Sequence, residues 1–455
     1  MSMFKLSREY WMLGLGLLVY LLAIAFIAYG LEQDDFGLFI SAYGIAFSTY
    51  LVSMYHRYLL SLKQWKMIAF LLFLVPLFSL PSLSPDVYRF LWDGEITLLG
   101  IHPYAHSPNA LVELQPSLIS SEYLNFLYTH TTDLSKGNYT VYPTVHQVYF
   151  LIPTFLSDDL FVSLIILRVL MIFTMALGAI YFLKLLHLLQ LPKHLSLLLF
   201  LNPILIIEVV GNLHFEGVVL AWLVIGIYFL IKKNVFKSAL FWSIAINVKL
   251  TPLILLPFVL RFSKLKFTLY FYLSTFVLSV ILLSIYMWPS VFLNFFQSIE
   301  LYFVNFEFNG SVFSVFNWLA DGFVEGNPTL IVGPITSLLA FVLILWLAFY
   351  KPIYAPKILL ERMMWGYVIY LLFATTVHPW YVVLPLGLAV FSANLGVIMW
   401  SFLIMLSYGF YALGSSFWGT VLIAIEYLVL FFFLFYPSNG FSQMSKRFLK
   451  IDSIK

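Results

Sequence analysis

Apolar runs recur along the chain at 10–30, 36–55, 65–83, 160–183, 195–210, 214–231, 236–248, 250–260, 267–287, 329–350, 363–378, 380–395, 397–413 and 417–436. A regular helix needs about 20 apolar residues to cross a hydrocarbon core of about 30 Å. Most of these runs predict spanning helices. The pair 236–248 and 250–260 is too short for two full crossings, which predicts tilted segments or a hairpin that dips in and returns. The first run, Tyr10–Gly30, follows a charged start but precedes Leu31-Glu32-Gln33-Asp34-Asp35 rather than a small-residue cleavage site, so it reads as an uncleaved first span. Two long segments, 84–159 and 288–328, interrupt the apolar pattern. Each is too short for a separate soluble domain and long enough for several short helices; LWDGEITLLG is amphipathic at helical spacing. The expectation is one polytopic all-α membrane domain over 1–455. It would have about 12–14 transmembrane or re-entrant helices, and amphipathic helices in its outer loops.

Composition sharpens this. The 455 residues are 62% hydrophobic and 10% charged, against about 25% charged in a soluble domain. Such a surface needs lipid as its solvent. Phe, Trp and Tyr reach 19%, which suits an apolar body with Tyr and Trp at its rims. There is no cysteine, so disulfides, thiolate metal sites and cysteine nucleophiles are excluded.

The charge distribution sets an orientation. With the N-terminus cytoplasmic, all but four of the 24 Lys and Arg fall on inner segments, from Lys5 and Arg8 to Lys446, Arg447, Lys450 and Lys455. Glu32, Asp34, Asp35, the acids of 86–159, Glu216, Glu300, Glu307, Asp321 and Glu325 lie on or near the outer side. Both termini are therefore expected in the cytoplasm and both long segments outside, in a bacterial cell membrane. The four exceptional bases, Arg89, Lys136, Arg168 and Lys249, are not explained by the positive-inside pattern.

Those exceptions lead to the chemistry. In SPDVYRFLWDGEITLLGIHPYAHSP (84–108), Pro85 marks a helix start, and Asp86, Arg89, Phe90 and Asp93 share one helical face. Arg89 is expected between the two carboxylates, leaving one free to accept a proton; a plain surface ion-pair helix is the competing reading. His102 and His106 bracket Pro103 and Tyr104, and Pro103 disfavours the helix that would make the pair metal ligands. VYPTVHQVYF (141–150) brings Tyr142 and His146 to the rim in a segment that parity does not allow to span. Arg168, inside the next apolar run, must face protein or a wet cavity. Pairing with Asp158 or Glu208 is as reasonable for it as a substrate role. Downstream stand Asn212, His214 and Glu216, then Lys249 just before Thr251-Pro252, then His378, Trp380 and Tyr381. A lone outer lysine at a break between helices suits a phosphate. Trp380 and Tyr381 are also ordinary belt residues. Nucleotide-binding loops, HExxH, GxSxG and a nucleic-acid-binding patch are absent.

In order, these motifs resemble a family. D-V-Y-R-F-L-W-D-G…G-I-H-P-Y is similar to the D-x-Y-R-Y-x-W-D-G…G-x-N-P-Y signature of bacterial polyprenol-phosphate-mannose-dependent mannosyltransferases in the GT-C superfamily. Y-P-T-V-H-Q, N-P-I-L-I-I-E…G-N-L-H-F-E-G, K-L-T-P-L-I-L-L-P and H-P-W-Y extend the likeness over about residues 84–385. The chain departs from the pattern at His102, where the family has asparagine, and at Thr144, where it has proline. The resemblance implies a GT-C-like fold and transfer of a sugar, mannose by resemblance, from a polyprenyl phosphate on the extracytoplasmic face. It implies Asp86 near the reaction centre, with Asp93 second. Arg89, Arg168 and Lys249 are the candidate donor-phosphate ligands. Tyr88, Trp92, His102, Tyr104, Tyr142, His146, Asn212, His214, Glu216, His378, Trp380 and Tyr381 form the candidate substrate-binding set. One carboxylate acting as base on an acceptor hydroxyl would give an inverting transfer. The expected partners are the donor, a glycan, lipid or protein acceptor, and the bilayer. No cofactor is required, although the His and Asp count is compatible with a divalent ion. A transporter or flippase of lipid-linked sugars is the alternative; the lack of internal repeats speaks against it.

Overall fold

A computed structural model of the chain describes residues 2–304, 307–414 and 416–435. The basic cluster Lys446, Arg447, Lys450 and Lys455 and the side chains of Lys5 and Glu300 lie outside the described residues. Those described form an all-helical bundle whose β pairing is an isolated bridge between Phe308 and Thr376.

Among the described residues, seven helices are long and apolar enough to cross a membrane: Ser7–Gly30, Phe36–Tyr55, Leu160–Leu188, Leu265–Ser284, Thr329–Phe349, Leu395–Leu413 and Phe417–Phe435. A bent pair, Lys193–Phe200 and Leu205–Gly211, kinked by 59°, has the form of a broken span or a re-entrant loop. Shorter apolar helices, including Glu216–Ile231, Val235–Val248, Thr251–Phe262 and Pro379–Ser392, fill the centre. Long helices on the outside and short ones within is what lipid demands. In Leu265–Ser284 only 17% of the apolar window is buried by protein, so the rest of that window is left for lipid. Glu216–Ile231 is buried along most of its length by Val235–Val248 and Leu160–Leu188.

Particular runs resolve differently from their periodicity. The run 65–83 is a helix Leu62–Leu74, a short 3₁₀ turn Val75–Phe78, and then extended chain, because Pro76 removes a helical hydrogen bond. The short pair at 236–260 is two helices, Val235–Val248 and Thr251–Phe262, separated by a break that holds Lys249. The segment 84–159 is a stack of short helices, Asp86–Leu98, Pro108–Leu114, Glu122–His130, Asp133–Gly137 and Thr144–Leu156. Asp86–Leu98 packs tightly on Thr144–Leu156. A Cβ at Gly94 would stand 2.7 Å from the Phe150 carbonyl oxygen and 2.7 Å from Thr154 Oγ1, so only glycine permits this approach.

Two buried polar residues fix the frame beneath that stack. Arg168, fully buried, donates to the carbonyls of Leu77, Ser79, Val210 and Gly211. Asn212 accepts from Leu83 N at 3.0 Å and donates to Ile207 O at 3.0 Å. Together they bind the chain leading into Asp86 to the π-helical turn Leu205–Gly211. Backbone carbonyls in the apolar interior need such donors, and π-turns leave several of them open.

Candidate active site

Asp86 is the first residue of its helix, with Pro85 just outside. The residue is half-buried, and burial by its neighbours pushes the pKa of its carboxyl up to about 6. Lys249 and the Ser84 hydroxyl pull the value down, and Glu216 adds to the rise. A carboxyl held there is ionised at neutral pH and remains basic enough to take a proton. Tyr408 and Tyr411, from the span Leu395–Leu413, also lie within its electrostatic reach.

Lys249 caps the helix Val235–Val248. Its ammonium pairs with Glu216 and lies 4.3 Å from the centre of the Tyr381 ring. Glu216 is 2% exposed while Lys249 keeps 30% of its side chain open, so the carboxylate is enclosed and the lysine is partly accessible. The cation is held by charge and by an aromatic face, with donor capacity to spare. Just upstream, His146 Nδ1 bonds the Val248 carbonyl at 2.9 Å, which anchors the backbone next to Lys249. That contact fixes the His146 tautomer with the proton on Nδ1, and burial, then the Lys249 charge, keeps the ring neutral.

Four rings line up beside this pair. His214 stacks on Trp380 at 3.4 Å and 14°, Trp380 on His378 at 4.4 Å and 6°, and His378 on Phe308 at 4.8 Å and 26°. Burial, then the Lys249 charge, brings the His378 pKa down to about 3, so this imidazole is neutral. Beneath the stack, Glu208 on the π-turn accepts from Tyr408 Oη at 2.9 and 3.0 Å and lies 3.6 Å from His214 Nε2.

The fold therefore gathers Asp86, Lys249, Glu216, His146, His214, His378, Trp380 and Tyr381 into one neighbourhood, from five separate stretches of chain. Other candidates are drawn elsewhere. Arg89 does not sit between Asp86 and Asp93. Its Nε donates to Asp93 at 2.8 Å, and its Nη1 reaches the Ser135 and Asn138 carbonyls. Asp93 is fully buried, and its other oxygen accepts from Gln147 Nε2 at 3.1 Å. With both oxygens occupied, Asp93 fits a structural tie and not a catalytic base. Arg168 gives its donors to protein carbonyls and pairs with neither Asp158 nor Glu208, while Arg89 is held by the Asp93 carboxylate and two carbonyls; neither is drawn to Lys249. Asn212, tied to Leu83 and Ile207, is a frame residue rather than an open ligand. Tyr88 packs on Phe126 and His130, and Trp92 on Tyr128, within the helical stack. His102 bonds the Tyr286 carbonyl at 2.5 Å and lies against Trp288; the Tyr104 hydroxyl bonds the Tyr142 carbonyl at 2.5 Å. Through His102 on Trp288 and Tyr104 on Phe295 the two long segments are joined. Tyr142 packs on Phe90 and His146.

Sequence reasoning missed Tyr408, Tyr411, Phe308 and Glu426. Glu426 alone carried a signal, an acid inside an apolar run. Among the described residues no group of three or more His, Asp or Glu is arranged to hold a metal ion.

The fold and the site define a polytopic, all-helical membrane protein with a carboxylate and a carboxylate-held lysine at the end of short central helices. Residues 35–263 match the model of the alpha-(1->6)-mannopyranosyltransferase N-terminal domain, and the chain belongs to that family. Over 188 residues it is 26% identical to alpha-(1->6)-mannopyranosyltransferase A of Corynebacterium glutamicum, covering 41% of this chain and 36% of that relative. No solved structure matches it.

Proposed function

We propose that this protein is an inverting mannosyltransferase. It would take mannose from a polyprenyl-phosphate donor and place it on a hydroxyl of an acceptor at the extracytoplasmic face. Family membership supports the sugar, and the name of the relative supports a 6-hydroxyl as the acceptor group. The observation that carries the chemistry is a half-buried Asp86 within the electrostatic influence of a Lys249 that is held by Glu216 and keeps part of its side chain open.

In this reaction the acceptor oxygen attacks the anomeric carbon, and the bond from that carbon to the phosphate oxygen breaks. The acceptor proton passes to the Asp86 carboxylate. The lipid phosphate leaves as an anion beside the Lys249 ammonium, whose charge stabilises it as it develops. Attack opposite the leaving group with a single base inverts the anomeric centre. The donor's tail needs lipid and its phosphate needs a cation, and the break after Val235–Val248 supplies one in Lys249. The charge asymmetry of the loops supports the orientation, with that break outside.

Purified protein in detergent or liposomes, given labelled polyprenyl-phosphate-mannose and a mannoside acceptor, should form a disaccharide linkage and release polyprenyl phosphate. Movement of labelled lipid across a liposome bilayer without bond transfer would replace this reading with that of a flippase.

A further inference from the structure

The last described span, Phe417–Phe435, buries a carboxyl. Glu426 is fully enclosed ten residues into an apolar helix, where a charge or an unpaired polar atom is expensive. A residue there for packing alone would be apolar. Its Oε1 instead accepts from Trp400 Nε1 at 3.1 Å and from Asn309 Nδ2 at 3.3 Å. The next residue repeats the contact: Tyr427 Oη donates to the Asn309 carbonyl at 2.7 Å. Asn309 in turn stands in the left-handed region, φ 52°, a conformation that needs local support. It is the hinge of a short strap. On its N-terminal side Phe308 bridges to the Thr375–Val377 chain through Phe308 N to Thr375 O at 3.1 Å and Val377 N to Phe308 O at 2.8 Å. On its C-terminal side Ser311 Oγ donates to Leu372 O at 2.8 Å. The strap ends with the Phe308 ring on His378, closing the ring stack beside Lys249.

We infer that Glu426 is a positioning residue for the transfer reaction, acting through Asn309 to seat Phe308 on His378. The inference rests on the proposed transferase reading. It assigns the C-terminal part of the chain, beyond the family-matched residues, a part in holding the site. Glu426→Leu removes the shared acceptor, leaves Asn309 Nδ2 only its 3.3 Å bond to Val377 O, loosens the strap and should lower kcat by about tenfold to a hundredfold, the usual cost of a small displacement in a site. Glu426→Gln keeps Oε1 and should restore kcat to within about threefold. If Glu426→Leu fails to fold, Asn309→Gly cuts the same link without touching the span, since glycine accepts the backbone angle.

The decisive readout is coupling. If Glu426 acts through Phe308, Glu426→Leu adds no further loss of kcat in a Phe308→Ala background; fully multiplied losses would show a separate, structural role and overturn the inference. A second readout does not need turnover. The chain contains no cysteine, so Ser311→Cys supplies a single buried thiol. Its labelling should be slow with Glu426 in place and faster after Glu426→Leu; equal rates would overturn the strap. Failure of the wild-type protein to transfer sugar would refute the transferase reading and leave the labelling test of the strap standing.

Discussion

At the residue scale, proton and phosphate chemistry fall to two side chains with different surroundings. Asp86 is poised near pH 6 by burial, against the pull of Lys249. The base must be ionised, so activity should rise as pH climbs through about 6 and level off above it. A pH–rate profile of kcat/KM checks this. Replacing Lys249 with Met removes a charge that lowers the Asp86 pKa, so the inflection should move to higher pH; an unmoved inflection would separate the two groups. Asp86→Asn should keep the fold and lose activity by about 10²–10⁴-fold, as removal of a general base does. Lys249→Ala should weaken donor binding more than acceptor binding, read as the split between the two KM values. Legibility at this scale was uneven. Asp86, Lys249, Glu216 and His378 were visible as polar residues in apolar company. Arg89, Asp93 and Arg168 showed the same signal, yet they serve the frame. A sequence shows that a buried charge needs a partner; it does not show whether the partner is substrate or the protein's own backbone.

At the element scale, the site is set by where helices stop. The break between Val235–Val248 and Thr251–Phe262 exposes Lys249, the π-turn Leu205–Gly211 carries Glu208, and the helix Asp86–Leu98 begins with its key residue. Each break has a local cause in the chain, such as Pro252 at the start of the next turn or Pro85 before Asp86. The short apolar runs at 236–260 foretold the first of these, because neither could cross lipid alone. The run 65–83 was misleading, since hydropathy does not register the break at Pro76. The close approach of Asp86–Leu98 to Thr144–Leu156 depends on Gly94. Gly94→Ala should destabilise the protein by about 1–3 kcal/mol through overpacking, seen as a lower Tm in detergent. Because that helix carries Asp86, kcat should fall with it.

At the scale of the whole molecule, lipid and charge asymmetry act together. Long apolar helices surround short central ones, and several charged groups of the interior are held by protein partners. Arg168 is the clearest case, one guanidinium for four carbonyls drawn from two segments. Arg168→Leu should leave those carbonyls unpaired in an apolar interior and cost several kcal/mol, at about 1–3 kcal/mol for each lost partner. The measurement is the yield of monodisperse protein and its Tm. By itself, the sequence determined the helical membrane class and the loop charge asymmetry. It also determined which stretches carry chemistry, because hydropathy, charge and motif order are properties of the chain read in line. The tertiary structure alone decided which of those polar residues meet. Asp86, Lys249, Glu216 and His378 are separated by up to hundreds of residues, and Phe308 and Glu426 join them from segments with no motif. Pairing across such distances is set by helix packing and by the need of every buried donor and acceptor for a partner, neither of which leaves a periodic trace in the chain.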